Sequence, residues 1–230
     1  MAYEATLKPS NKRFELDDSL TVLEAALTAK IKIPHSCRDG SCGACKSRLN
    51  SGHVNHSDNM DGISTSELAD GYILTCVAKP RSDIEFESTY YHELDGVEAA
   101  LSPCKVKSID FKVDDIAIVH LRLPPGTKFN YLPGQYIDLK WKGAQRSYSI
   151  ANIDYRDQGL ELHIRRVPDG VFSRLIFEEL KPETLLYLHG PHGTFFVRES
   201  ESPIIFLAGG TGFAPVKAMV EQLLIQHSMR

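Results

Sequence analysis

The most specific chemistry in this chain belongs to Cys37, Cys42, Cys45 and Cys76. The first three lie in Cys-Arg-Asp-Gly-Ser-Cys-Gly-Ala-Cys, a C-x4-C-x2-C spacing, and Cys76 follows after thirty intervening residues. Thiolates are soft anionic ligands that suit iron–sulfur clusters or zinc. Zinc sites usually pair two C-x2-C knuckles or combine cysteines with histidines. A single C-x2-C behind a C-x4 step, with one distant fourth cysteine, instead fits the ligands of a [2Fe–2S] cluster. Gly40 and Gly43 give the loop the close backbone approach that N–H groups aimed at sulfur require. Cys104 falls outside the pattern and reads as an ordinary apolar residue. His35 is near the loop but is not needed as a ligand, because a Rieske centre would need a second histidine.

Three further stretches have the residue types for a phosphorylated cofactor. Arg146-Ser147-Tyr148-Ser149 follows Leu132-Pro133-Gly134-Gln135-Tyr136. In a strand, Arg146 and Tyr148 share one side, Ser147 and Ser149 the other. A guanidinium suits a phosphate and a tyrosine ring can cover a flavin, while Ser149 can reach its reactive nitrogen. A plain strand is the bland alternative. His163-Ile164-Arg165-Arg166 precedes Gly170-Val171-Phe172-Ser173, where a glycine leads into a helix whose free N–H groups favour a pyrophosphate. A β-turn with a serine cap explains the same residues. Gly209-Gly210-Thr211-Gly212-Phe213-Ala214-Pro215 joins an apolar run to a helix, the place where doubly wound folds hold phosphates. It is neither G-x-G-x-x-G nor a Walker A loop. His53, His56, His92, His120, His163, His189, His192 and His227 are expected to form no metal-ligand grouping, and none is assigned a catalytic role.

Elements must position these groups. With 230 residues the chain is long enough for two domains. A formal net charge of -4 argues against a nucleic-acid partner. No signal peptide and no apolar run of about 18 residues is present, so no membrane partner is expected. Five unevenly placed cysteines argue against a disulfide framework and for a reducing cytoplasm. Residues 3–8 and 12–16 predict two strands. Asp17, Asp18 and Ser19 offer N-cap oxygens to a helix with Leu20, Leu23, Ala26 and Leu27 on one face. Strands at 72–75 and 84–86 complete a β-grasp-like unit. Strands at 104–109, 116–123, 136–141, 147–150, 160–164 and 185–188, with a helix near 173–180, suggest an antiparallel barrel. Residues 203–208 read as a strand of the kind a parallel sheet buries on both faces, but a lone one with no partner to pair with, before a helix near 214–225.

In this order the parts resemble an iron–sulfur flavoprotein reductase of the ferredoxin-NADP reductase-like family: a plant-type ferredoxin segment, Arg-x-Tyr-Ser, Gly-x-x-Ser, then Gly-Gly-Thr-Gly-x-x-Pro. The resemblance runs the length of the chain. Tyr72–Pro80, Gln145–Asn152 and Pro203–Val220 look most like members that resupply electrons to a dehydrase in 3,6-dideoxyhexose synthesis. Reductase components of aromatic-ring and alkane oxygenases share the layout. The resemblance implies FAD, bound around Arg146, Ser147, Tyr148, Ser149, His163, Ile164, Arg165, Gly170, Val171 and Ser173, with Tyr148 and Ser149 at the reacting ring. It implies NAD(P)H near Gly209, Gly210, Thr211, Gly212 and Pro215.

The expected fold is a multidomain α+β chain: a ferredoxin-like β-grasp domain at 1–92, a linker at 93–102, an FAD-binding β-barrel at 103–199, and the first β-α unit of a nucleotide-binding domain at 200–230. Family members continue for roughly another hundred residues, so the chain reads as truncated, with weak nicotinamide binding and an exposed apolar strand expected. The expected function is electron transfer from NAD(P)H through FAD and a [2Fe–2S] cluster to a protein acceptor, a dehydrase or an oxygenase component. Arg38 and Asp39 are candidate docking charges. A flavin-free electron carrier and a zinc-bound interaction module are the competing readings.

Overall fold

A computed structural model describes residues 2–57, 60–200 and 202–228. The chain divides into two compact units, Met1–Gly96 and Val97–Arg230.

The first unit contains β1 (Ala2–Lys8), β2 (Lys12–Asp17), α1 (Val22–Thr28), β3 (Lys46–Ser51), β4 (Val54–Asn55), α2 (Thr65–Ala69), β5 (Tyr72–Leu74), β6 (Lys79–Pro80) and β7 (Ile84–Glu87). Its main sheet has the order β2-β1-β7-β3-β5, and β4 pairs with β6 in a small ladder. β1 and β7 run parallel, whereas the other neighbours are antiparallel. Period-two alternation turns Ala5 and Leu7, Phe14 and Leu16, and Ile84 and Phe86 into one core. Onto that face α1 packs Val22, Leu23, Ala25 and Ala26.

The cap of α1 differs from the sequence expectation. Thr21 caps it through a capping box with Glu24. Asp17 instead closes a turn, its carboxylate accepting from the Ser19 N–H at 2.7 Å. The N–H groups of Val22 and Leu23 donate to Ala78 O and Thr75 O, each at 2.9 Å. The helix start thereby fixes the segment that bears Cys76. β3 is a strand that the sequence pattern does not reveal. Lys-Ser-Arg-Leu-Asn-Ser has no hydrophobic alternation, and backbone ladders to β5 and β7 hold it.

The second unit contains β8 (Ala100–Val113), β9 (Ile116–Arg122), β10 (Tyr136–Trp141), β11 (Ala144–Ser149), β12 (Leu160–Arg165), α3 (Val171–Glu178), β13 (Leu185–His192) and α4 (Phe213–Ser228). Strand order is β11-β10-β13-β8-β9-β12. An Ile150–Leu162 bridge and an Ala151 N–H bond to Glu161 O at 2.8 Å join the outer strands, closing a barrel. Val106, Val119, Leu121, Ile137, Leu139, Leu162, Ile164, Leu186 and Leu188 fill it, with Phe172 and Ile176 of α3. Cys104 is one of these barrel residues, and burial pushes its thiol up to about 12. β8 begins at Ala100, inside the segment expected as a linker.

Residues 203–208 do not take the expected strand conformation, although they are exposed as expected. They form no ladder among the described residues, because no neighbouring strand offers a partner. Ile205 and Leu207 are accordingly 92% and 97% exposed. The helix that follows does form, as α4.

One contact positions the cysteine loop. The Gly62 N–H donates to Gly40 O at 2.8 Å. A Cβ on Gly62 would stand 2.4 Å from Gly43 N and 2.9 Å from Gly40 O. Gly62→Ala is therefore expected to destabilise the first unit by about 1–3 kcal/mol through overpacking. Denaturant unfolding of the variant checks this, and an unchanged midpoint would count against a tight glycine contact.

Candidate functional sites

The cysteine loop runs from the end of the α1 crossover to β3. Cys37 is half-buried, Cys42 exposed, and Cys45 and Cys76 buried. Cys45 directly precedes β3 and Cys76 lies just past β5. The register Lys46↔Leu74 brings their Sγ atoms to 3.2 Å. The two sulfurs are hydrogen-bonded, and that bond lowers Cys45 to about 6 and pushes Cys76 up. Cys37 and Cys42 lie on the more exposed part of the cysteine loop. A backbone N–H group reaches a sulfur as well. Ala44 donates to Cys42 Sγ at 3.5 Å. Gly40 and Gly43 have φ of 86° and 72°, the left-handed conformation that such a wrap needs.

Two neighbours of the loop have local roles. Asp39, a candidate docking charge, holds the loop together: its Oδ1 accepts from the Ser41 N–H at 3.0 Å and Ser41 Oγ at 2.6 Å. Hydrogen bonds from Cys37 and Ser41 keep its carboxyl near 2. His35 is buried with Nδ1 2.8 Å from Ile33 O, and burial lowers it to about 4. It is a neutral structural imidazole.

The barrel carries a cavity of about 430 Å³, within the range of cofactor sites. It is lined by Arg146, Ser147, Tyr148 and Ser149 of β11, by His163 and Arg165 of β12, by Gly170 and Ser173, and by Thr211 and Gly212. Residues from both faces of β11 reach it, so strand alternation does not separate them. β11 meets β12 near the Ile150–Leu162 bridge, and the strands part above it. The other sequence candidates stand differently. Ile164 points into the barrel core, Val171 is exposed, Pro215 is buried, and Gly209 and Gly210 are exposed outside the cavity lining.

Val167, Phe172 and Ala214 complete the lining and were not singled out in the sequence. The Phe172 ring lies 5.9 Å from that of Tyr148, tilted by 42°. The amphipathic pattern of α3 could have shown Phe172 facing inward. Burial raises Tyr148 to about 12, so its hydroxyl stays protonated. Ser173 Oγ accepts from the Val167 N–H at 3.1 Å and lies within bonding distance of Val167 O and Gly170 O. Its hydroxyl is thus committed to the turn before α3. Arg165 is paired with Asp115 at 3.0 Å.

Behind the cavity, Glu161 joins the barrel to α4. It meets His163 Nε2 at 2.7 Å and Lys217 Nζ at 3.1 Å, and Lys217 also donates to Ala151 O at 3.0 Å. Burial pushes Glu161 up, but the His163 and Lys217 hydrogen bonds outweigh it and the carboxyl sits below its ordinary value.

A thiol pair at Cys45 and Cys76, the former on the loop that also carries Cys37 and Cys42, and a barrel cavity with an arginine, a tyrosine and a helix N-terminus suit an electron-transfer protein with an iron–sulfur unit and a flavin unit. Family comparison agrees. Residues 5–81 match the 2Fe-2S iron-sulfur cluster binding domain, and residues 103–197 match the oxidoreductase FAD-binding domain. The chain is 51% identical over 230 residues to the CDP-6-deoxy-L-threo-D-glycero-4-hexulose-3-dehydrase reductase of Yersinia pseudotuberculosis, covering all of this chain and 70% of that protein. It is 33% identical over 225 residues to terephthalate 1,2-dioxygenase reductase component 1 of Comamonas, covering 97% of this chain and 66% of that one. Among solved structures, the Amycolatopsis cytochrome P450 reductase GcoB superposes with a TM-score of 0.77 at 32% identity, over 99% of this chain and 70% of that one. The chain belongs to the iron–sulfur flavoprotein reductases of the ferredoxin-NADP reductase-like family, NAD(P)H-dependent oxidoreductases with FAD and a [2Fe–2S] cluster. Among the described residues no helix is long and apolar enough to cross a membrane.

Replacing Glu161 tests the link between barrel and helix. A carboxyl with a depressed folded value stabilises the fold above its unfolded value, about 4.3, and loses this as pH falls through the folded value. Glu161→Gln is expected to cost roughly 1–3 kcal/mol near neutral pH. That cost should shrink below about pH 4. Denaturant unfolding across pH reads both effects.

Proposed function

We propose that Cys37, Cys42, Cys45 and Cys76 hold the [2Fe–2S] cluster and that the barrel cavity holds FAD. The observation that carries this reading is the convergence of β11, β12, the start of α3 and the Thr211–Gly212 turn on one cavity. FAD, when bound, supplies conversion between a two-electron hydride donor and single-electron acceptors. Arg146 offers its guanidinium to a phosphate. Tyr148, its ring 5.9 Å from that of Phe172, would offer an aromatic face to the flavin, and its protonated hydroxyl can donate to a carbonyl or nitrogen. Ser149, which lines the same cavity, would offer its hydroxyl to the reactive edge of the ring. Ser173 fixes the turn, leaving the N–H groups at the start of α3 for the pyrophosphate. His163, oriented by Glu161, borders the same space. Gly209, Gly210, Thr211, Gly212 and Pro215 are assigned to the nicotinamide nucleotide, with Thr211 and Gly212 also bordering the FAD cavity.

The acceptor is a protein, and the reading favoured is a dehydrase acting on a sugar nucleotide. Half-identity to the Yersinia reductase along the whole chain supports this over an oxygenase acceptor, whose reductase is one third identical. A reducing cytoplasm suits the four ligand thiols.

Two sets of variants test the assignment. Changing any one of the four cysteines to serine is expected to remove iron and the cluster's visible absorption while FAD remains bound. Arg146→Ala and Tyr148→Ala are expected to weaken FAD by about tenfold or more each, roughly 1.4 kcal/mol, with iron unchanged. Iron retained in Cys45→Ser, or a colourless protein with zinc on its cysteines, would overturn the reading.

A further inference from the structure

Asp138, His189 and His192 form a cluster outside the cysteine loop. Their ligand atoms all lie within 4.8 Å of one another. Spacing alone hides the group. Along a regular strand, residues three apart face opposite sides. Here β10 and β13 shift register between Tyr136 and Asp138, which are opposite His192 and His189 respectively. Two residues of β10 thus span three of β13, a β-bulge that turns both imidazoles toward Asp138.

The distances suit a metal ion. His192 Nε2 is 3.0 Å from His189 Nδ1 and 3.6 Å from Asp138 Oδ2. Tetrahedral ligands at about 2.0–2.1 Å from zinc stand roughly 3.3–3.4 Å apart, and the two distances bracket that value. Asp138 Oδ1 accepts from Ser147 Oγ at 2.5 Å, leaving Oδ2 turned to the histidines. A carboxylate held this way has the orientation that outer hydrogen bonds give metal ligands. The side chains of His192 and Asp138 are 3% and 15% exposed, so little reorganisation is needed to exclude water.

We infer that Asp138, His189 and His192 bind a divalent transition-metal ion at the bulge between β10 and β13. Two imidazole nitrogens and one carboxylate oxygen suit zinc, copper, nickel or iron, and not the all-oxygen shells of calcium or magnesium. Ser147 borders the cavity assigned above to FAD, so the metal stands one hydrogen bond from that cavity. The geometry of the triad does not depend on that assignment.

The test uses protein that retains its iron and flavin, so the cysteines are occupied and cannot compete. Zinc sulfate is titrated by calorimetry in metal-free buffer, and zinc per chain is counted after dialysis. One equivalent is expected in the wild type. His189→Gln and His192→Ala should lose about tenfold or more in affinity, and Ser147→Ala a similar factor through the freed carboxylate. X-ray absorption at the zinc edge needs no variant and should show two imidazoles and oxygen. No zinc uptake, equal uptake by wild type and the His189→Gln/His192→Ala double variant, or a sulfur-rich shell would each overturn the proposal. In that event the triad is a hydrogen-bonded cluster only.

Discussion

The antiparallel pairing of β3 with β5 sets Cys45 and Cys76 3.2 Å apart, and much of the first unit serves that pairing. A cluster demands thiolates from distant segments at nearly fixed positions, and a flexible loop alone would lose too much entropy on ordering. The unit meets the demand with backbone bonds. α1 gives two N–H groups to the segment around Cys76, the capping box fixes where that helix begins, and Gly62 locks the loop through Gly40. The loop residues themselves then need only positive φ and short side chains. Asp39 serves this scaffold as well, tied to Ser41.

The second unit solves a different problem. A barrel core is apolar and closed, whereas a phosphorylated cofactor needs charge and donors. The solution lies where β11 and β12 part beyond a single bridge. Polar side chains gather at that opening while Ile150 and Leu162 keep the interior dry. Glu161 is buried beside it, and its charge is matched by Lys217 from α4. Pairing of this kind is what makes a buried carboxylate tolerable.

The sequence carried the parts of the site that rest on local spacing. Cys37, Cys42, Cys45 and Cys76 could be picked out because their spacing is a chemical signature, and the structure brings the sulfurs of Cys45 and Cys76 to 3.2 Å. Arg146 to Ser149 and Ser173 also line one cavity. Legibility ended where long-range pairing decides the outcome. β3 has no alternation because ladders on both sides hold it. The proximity of His189 and His192 depends on a bulge that neither histidine announces. Residues 203–208 have the composition of a buried strand, but a strand is a property of two segments, and no partner is present among the described residues. Thr21 displaced the expected caps because a Glu stands three residues after it, a pattern that was available in the sequence.

The central claim is that one chain stores electrons in two kinds of centre, a cluster on four cysteines and a flavin in the barrel. Anaerobic titration of the purified protein with dithionite tests it most directly, with absorption and iron content followed together. A flavin takes two electrons and the cluster one, so bleaching is expected to end at about three electron equivalents per chain. In Cys45→Ser the end point should fall to about two. An end point of about one equivalent, or the same end point in both proteins, would contradict the account.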